Sequence, residues 1–463
     1  MQKTDDQKIL DRRNFLKRAT AVSGLVSAPL LSSTLLAQSY SNKNNEKQTC
    51  KTSELADDFI YLNSGTEGSM PDCVINDFNK NLKRWASSPT ASYETDKHFR
   101  KHQHYQRTQI AKLFSVEKDN ICLTDNTTMG MYMVLMGINF KSSDTIIYTN
   151  QEHTAITSPL AMHKEKTGLK LIKRSFPTAS KLSQMTSHEV VEYLLPNTKE
   201  LQGATALCVS HVYPSTGIRL PLKLLRKKAD KLSIKYLIVD GAQAFGMIDI
   251  SQGNDDIKHC DFYACPGHKW LNGPPGTGIL FLKNNSIKPP EFYPTLSQRM
   301  EKYSSENSTF PMAEALQVRG CSNVPGFTSM LKAIDYQNDI GGSKAIEKHI
   351  IDLSQTVKEF IYSHSPLSLV SPRLDKSLAS GLTVFFPFTW KNPKNIFTDK
   401  ITANKVVHAL LQKNIQIRSI GFSDTSKPNG KIYALRVSTA IFNNSHQIDQ
   451  FRSSLKEVLK TLS

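Results

Sequence analysis

Six short apolar runs recur between about residue 100 and residue 285: NICLTD (120–125), DTIIYT (144–149), LKLIKR (169–174), ATALCVSHV (204–212), KYLIVDGA (235–242) and TGILFL (277–282). Amphipathic, helix-like stretches separate them. Runs this short and this continuously apolar are strands covered on both faces, and strands alternating with helices make a mostly parallel sheet. The expected class is therefore α/β. After residue 285 the order changes: a long polar loop (286–310), a helical stretch near 326–363, strand-like LASGLTVFFPF (378–388), a helix near 402–413, strand-like IQIRSI (415–420) and YALRVSTA (433–440), and a last helix near 445–462. That succession suits a smaller C-terminal α+β domain. The 463 residues suffice for two or three domains of usual size and show no repeat of solenoid period.

The N-terminus reads separately from the fold. Arg12-Arg13-Asn14-Phe15-Leu16-Lys17 precedes a modestly apolar stretch, Ala19 to Ala37, diluted by Ser and Thr. The whole resembles a bacterial twin-arginine signal, which implies the twin-arginine export machinery as a partner and a periplasmic destination. A basic amphipathic helix or a membrane anchor is the alternative, although the serines argue against a permanent span of about 20 apolar residues. The expected organisation is a signal at 1–38, a polar linker at 39–55, a large domain at 56–310 and a small domain at 311–463.

The formal charge of +17 is spread along the chain, and no nucleic-acid recognition motif accompanies it. Nucleic acid is therefore not the expected partner. Of seven cysteines, none forms a C-x-x-C pair, and Cys122 and Cys208 lie inside apolar runs and read as small buried residues. An exported chain can form disulfides, but the spacing supports no metal site.

Chemistry concentrates around CDFYACPGHKWLNGPPGTGILFL (260–282). GPPGTG at 273–278 has the look of a phosphate-cradling loop. A P-loop, however, needs Lys and then Ser or Thr directly after its last glycine, and Ile279 and Leu280 follow here. The lysine of interest is Lys269. It lies 29 residues beyond Asp240, room for a helix and a further short strand that returns the chain to the same sheet edge. Asp240 closes the run 236–239, and ligands of open α/β sheets sit beyond the carboxyl ends of the strands. A carboxylate there can hold a protonated ring nitrogen, and a desolvated lysine can form a Schiff base with an aldehyde. The alternatives are a helix N-cap for Asp240 and a solvated surface amine for Lys269. Thr127 and Thr128 of LTDNTTMGM (123–131) stand where a strand gives way to an apolar helix. That position offers backbone N–H groups and hydroxyls to a phosphate, or a plain helix cap.

Together these segments resemble the class V aminotransferase family of fold-type I pyridoxal-phosphate enzymes, in particular its isopenicillin-N-epimerase-like and cysteine-desulfurase-like branches. The resemblance runs from YLNSGTEGSMP (61–71) to LRVSTAIFNN (435–444). It implies pyridoxal 5'-phosphate as cofactor, a homodimer, and an amino acid or related amine as substrate. It further implies that Lys269 holds the cofactor aldehyde and moves the substrate proton, while Asp240 pairs with the pyridine nitrogen and Gln243 bonds the phenolic oxygen. Thr127, Thr128 and His268 would bind the phosphate. His153 would stack on the ring, and His211 would contact the cofactor from the neighbouring strand end. Arg436 would grip the substrate carboxylate. Each histidine could instead be satisfied within a polar loop, and Arg436 within a structural salt bridge.

Two positions depart from that family. The segment 417–435 contains no cysteine, whereas desulfurases carry a reactive thiol there, so ordinary desulfurase activity is not expected. Cys321 of VRGCSNVPG replaces a Thr whose hydroxyl reaches the partner subunit's phosphate in many relatives, and Ser322 stands beside it. The expected activity is amino-acid chemistry at Lys269, as aminotransferase, epimerase or lyase. A cofactor-binding envelope protein without catalysis is the alternative.

Overall fold

The structure is a computed structural model that describes residues 50–87, 96–297, 310–423 and 430–462. The expected signal, most of the expected linker and the second half of the 286–310 loop lie outside the described residues. The chain enters the fold through β1 (Ile60–Tyr61) and helix α1 (Asp72–Ser87), then α2 (Asp96–Phe114). Seven strands follow and form one sheet: β2 (Ile121–Thr124), β3 (Thr145–Thr149), β4 (Lys170–Arg174), β5 (Ala206–Ser210), β6 (Tyr236–Asp240), β7 (Phe262–Pro266) and β8 (Gly278–Leu282). Their order is β2-β8-β7-β6-β5-β3-β4. Strands β4, β3, β5, β6 and β7 run parallel, and β8 is antiparallel to both of its neighbours. All six apolar runs are strands of this sheet, and β7 (FYACP) is a seventh.

The continuous apolar runs have a direct cause in the packing. Alternate residues of a strand face opposite sides. Leu207, Val209, Leu237 and Val239 join one core with Ile279, while Ala206, Cys208, Ile238 and Leu280 join the other. Helices α3 (Thr127–Gly137) and α4 (Thr154–Thr167) cover the second side. Helices α5 (Ser187–Leu194) and α6 (Leu222–Lys231) contribute to the first.

The passage from Asp240 to Lys269 holds the expected short strand, β7, but not the expected helix. Two single 3-10 turns, Gly253–Asp255 and Ile257–His259, stand in its place. Gly246 and Gly253 have φ of 87° and 74°, left-handed backbone that interrupts a right-handed helix.

Beyond α7 (Met312–Gln317), the expected helix near 326–363 is a pair, α8 (Val324–Asp339) and α9 (Gly342–His364). Next come β9 (Leu382–Phe385) and the hairpin of β10 (Phe388–Thr389) with β11 (Asn392–Ile396). They are followed by α10 (Lys400–Leu411), β12 (Ile415–Gln416), β13 (Arg418–Ser423), β14 (Lys431–Ser438) and α11 (Ser445–Lys460). Strands β13, β14 and β9 form a three-stranded antiparallel sheet whose core includes Val357, Val406, Leu435 and Phe451. The N-terminal strand β1 pairs in parallel with β12, and Asn63 bridges Ser438, so residues 60–63 join the C-terminal half. Helix α8 packs on α1, and its Phe327 and Met330 enter the core of the large sheet.

Cys50 and Cys73 form a disulfide; Cys122, Cys208, Cys260 and Cys265 are buried free thiols, and Cys321 is exposed. Among the described residues, the grouping with metal-ligand spacing is Cys50, Asp72 and Cys73, of which the two cysteines are the disulfide. Among them, too, no helix is long and apolar enough to cross a membrane.

Candidate active site

The carboxyl ends of β5, β6 and β7 and the start of α3 open on a cavity of about 270 Å³. Thr127, Thr128, His153, Asp240, Gln243, His268 and Lys269 line it, joined by Asn126 and Ser210. Seven of the nine residues singled out from sequence thus meet in one space.

At the cavity floor, Asp240 is 3% exposed and its Oδ1 accepts the N–H of Ala242 at 2.8 Å. That bond fastens a turn; no helix starts there, so the N-cap alternative does not apply. Burial pushes the Asp240 carboxyl above the usual carboxylate range, opposed by the Ala242 N–H and by the charges of Lys269 and His153. Burial brings Lys269 down to about 8, against the pull of Asp240, and with Arg436 and Arg418 lowering it further. About a tenth of the amine is therefore neutral at pH 7, far more than for an ordinary lysine, and the neutral form is the nucleophile.

At the opposite end, Asn126 caps α3 by accepting the N–H of Met129 at 2.9 Å. Thr127 and Thr128 are the first two helical residues, whose N–H groups have no intrahelical acceptor. The capping role is thus taken by Asn126. Among the described residues, the buried hydroxyl of Thr127 and the buried Nδ1 of His268 have no hydrogen-bond partner. Unsatisfied buried polar groups are costly and rare, and two that line one cavity beside a helix N-terminus constitute an anion seat. Burial, then the charge of Lys269, lowers the pKa of His268.

Gln243 is held on both sides: its Nε2 donates to Gly65 O at 2.8 Å and its Oε1 accepts from Trp270 Nε1 at 2.9 Å. One N–H of the amide remains for a ligand. His153 is exposed and caps α4, with Nδ1 accepting the N–H of Ala155 at 3.2 Å. Nε2 is therefore the nitrogen that carries the proton of the neutral ring.

His211 is not brought to the cavity. Ser210 before it lines the space, and the strand alternation turns His211 to the other face. There it is fully buried, with Nδ1 2.9 Å from Tyr263 Oη and Nε2 2.9 Å from Asp255 Oδ1. Asp255 and Arg219 continue this network to Glu347. The place at the cavity expected of His211 is occupied by Ser210, one position earlier.

Arg436, 2% exposed, is not among the residues that line the cavity; it adjoins them at the rim, where its Cζ lies 3.1 Å from the Cβ position of Gly65, whose carbonyl accepts from the lining Gln243. Arg436 Nη2 donates to Asn63 Oδ1 at 3.1 Å and Thr66 Oγ1 at 2.8 Å, and its buried Nε has no partner among the described residues. Arg418 sits directly opposite it across β13–β14, and Arg418 Nη1 donates to the same Thr66 Oγ1 at 2.9 Å. No carboxylate forms a salt bridge with either arginine among the described residues, which removes the structural-bridge alternative there. Burial first, and the charge of Arg418 second, bring Arg436 down to about 9. Two guanidinium groups on one hydroxyl, unneutralised, form a receptor for an anion.

Sequence reasoning missed Glu152, Arg418 and the Asn63–Thr66 turn as site residues. Glu152 directly precedes His153; its Oε1 accepts from Tyr213 and Thr149, and its Oε2 from Ser210, each at 2.7 Å. Burial raises its carboxyl to about 7, with the Asp240 charge adding to the rise against the three hydroxyl donors. An acidic residue next to a strand-end histidine was the available signal. For Arg418 it was a second arginine at the start of a strand paired with that of Arg436.

The sequence model of one protein family, described as aminotransferase class-V, matches residues 60–451. A probable cysteine desulfurase of Ureaplasma parvum is 25% identical over 421 residues, 87% of this chain and 94% of the relative. The isopenicillin N epimerase of Amycolatopsis lactamdurans is 28% identical over 260 residues, 55% of this chain and 60% of the relative. Among solved structures, the apo cysteine desulfurase of Thermococcus onnurineus superposes with a TM-score of 0.70 at 21% identity, covering 89% of this chain and 97% of that one.

Proposed function

The chain belongs to the aminotransferase class-V family of pyridoxal-phosphate enzymes, and on that premise we propose that it acts on a free amino acid, or a related amine, by moving the α-proton with Lys269. The residues present fit the cofactor. Asp240 suits its ring nitrogen, Lys269 its aldehyde, and the unpartnered Thr127 hydroxyl and His268 Nδ1, with the first N–H groups of α3, its phosphate. Bound there, pyridoxal phosphate supplies an aldehyde for the substrate amine and a ring that takes up the electron pair of the broken C–H bond.

The chain's own groups supply the rest. Asp240, whose negative charge faces the cavity, keeps a proton on a ring nitrogen set against it. Lys269, brought toward neutrality by burial, takes a proton at Nζ and returns it. Arg436 and Arg418 fix the substrate carboxylate, which sets the α-carbon at a constant distance from Nζ. Which face receives the returning proton, or whether a group leaves the neighbouring carbon, separates epimerisation, transamination and elimination. The observation that carries this reading is the meeting of Asp240 and Lys269 in one cavity, with two arginines near Lys269 that have no carboxylate partner among the described residues.

No cysteine lines the cavity, and 417–435 contains none, which supports a chemistry other than cysteine desulfuration through a protein persulfide. Export through the twin-arginine route to the periplasm is supported by Arg12-Arg13 and by the Cys50–Cys73 disulfide, a bond that persists in oxidising compartments. The homodimer is proposed from family membership alone. The deciding experiment incubates the mature protein with amino acids in heavy water, with and without a keto-acid acceptor. It follows α-proton exchange by NMR, chirality of the recovered amino acid, and the visible spectrum. Absence of a visible band that depends on Lys269, or a spectrum without any exchange, sinks the enzymatic reading; sulfide release from cysteine sinks the exclusion of desulfuration.

A further inference from the structure

We infer that the Cys50–Cys73 disulfide is a positioning cross-link for the anion-binding rim, so that a dithiol reductant loosens that rim; the inference rests on the reading of Arg436 and Arg418 as the carboxylate receptor. The disulfide joins residues 23 apart and closes a ring that contains the whole turn facing the two arginines. Within the ring, Thr66 and Asn63 hold Arg436, and Thr66 holds Arg418. Gly65 O accepts from Gln243, and Gly68 N donates to His268 O at 2.9 Å. At Gly68 a Cβ would come within 1.8 Å of Lys269 O, so this turn lies directly on the backbone of the lysine.

The two halves of the ring are secured unequally. From Ile60 onward the chain is tied by β1–β12 pairing, by the Asn63–Ser438 bridge and by the bonds just described. Residues 51–59 are without a fully buried member and carry few bonds to the rest of the fold, chiefly the Asp72 N–H to Lys51 O at 3.2 Å, Asn414 Nδ2 to Asp58 Oδ2 at 2.9 Å and a side-chain bond between Thr52 and Tyr336. Yet this strap supplies Phe59, whose ring stacks on Tyr61 at 6.4 Å, and Tyr61 Oη donates to Glu67 O at 2.8 Å. Glu67 in turn acts on the charge of Lys269. A surface strap fastened by one covalent bond thus supports the aromatic that holds the turn over the lysine. Closing the ring restricts the open conformations available to the turn.

Reduction breaks one S–S bond and makes two thiols. The two electrons and two protons come from a dithiol, which closes to its own disulfide. The five remaining cysteines are already free thiols, so among the described residues reduction acts at this bond. The test compares oxidised holoprotein, dithiol-reduced holoprotein and a Cys50→Ser/Cys73→Ser double variant. Amide exchange of residues 60–69 is expected to quicken roughly tenfold on reduction and in the variant, while β5 and β6 stay unchanged. For an amino acid that is turned over, KM is expected to rise roughly tenfold with kcat within about twofold, as lost ground-state positioning requires. Reoxidation restores both. Equal exchange at 60–69 in the oxidised and reduced proteins, with the thiol count confirmed by mass, overturns the inference. The exchange measurement needs no turnover, so its failure is distinct from failure of the catalytic reading, which would remove the KM difference alone.

Discussion

Asp240 and Lys269 face one cavity from the ends of adjacent chain segments, one at the carboxyl end of β6 and the other three residues beyond β7. Each tempers the other: burial drives the carboxyl up and the amine down, and the opposite charge of the partner limits both shifts. Lys269, brought down to about 8, can take up and release a proton near neutral pH, the condition a proton-moving site requires.

Removing either member separates its role from the other's. Lys269→Ala is expected to lower α-proton exchange by about 10³-fold and to abolish the lysine-dependent visible band. Asp240→Asn keeps the turn bond to Ala242 and is expected to cost roughly 10²-fold in kcat while the band persists. Stopped-flow kinetics with parallel spectra check both.

The two arginines are expected to contribute unequally. Arg436→Lys forfeits a planar fork in a buried setting and should raise KM for a carboxylate substrate by about 10–100-fold. Arg418→Ala, at an exposed position, should raise it only about 3–10-fold. A substrate amine lacking the carboxylate should be indifferent to both substitutions, which a KM comparison between amino acid and amine would show.

Glu152 gives the fold a pH dependence of known sign. Its carboxyl titrates at about 7 in the folded chain, above the 4.5 of an ordinary glutamate, so the folded state holds a proton that the unfolded state has released. Its contribution is fully present below pH 4.5 and is lost as pH rises through 7, by about 3 kcal/mol in all. Glu152→Gln should flatten the stability profile across that interval, as read by denaturant unfolding at a series of pH values.

Lys358 is fully buried in α9, with one acceptor, Ser380 O at 3.4 Å, and burial brings its amine down to about 8. Its folded pKa lies below its unfolded value, so its destabilising effect is fully present below pH 8 and fades toward pH 10.5. Lys358→Met should therefore stabilise the protein at pH 7 by about 1–3 kcal/mol and by less at pH 10. Thermal or denaturant unfolding of the two proteins at both pH values provides the check.

Local sequence carried the sheet, because apolar runs of strand length record burial on both faces whatever their partners are. It also carried Asp240, Lys269, Thr127 and Thr128, whose neighbours in sequence are the strand ends and helix start that aim them. Of the 240–269 passage the closing strand β7 was legible, but the helix expected before it yields to left-handed glycines that composition alone does not distinguish from ordinary loop glycines.

What the chain alone could not decide was which way adjacent residues turn and which distant segments meet. Ser210 and His211 differ by one position, and the side each takes follows from sheet register, set by neighbouring strands rather than by either residue. Arg436 and Thr66 are 370 residues apart, and Thr66 joins Arg418 as well only because β1 pairs with β12 and β13 lies against β14. Periodicity and chain direction are properties of neighbours along the sequence. The anion receptor and its covalent strap depend on contacts between distant segments, which exist only once the chain has closed on itself.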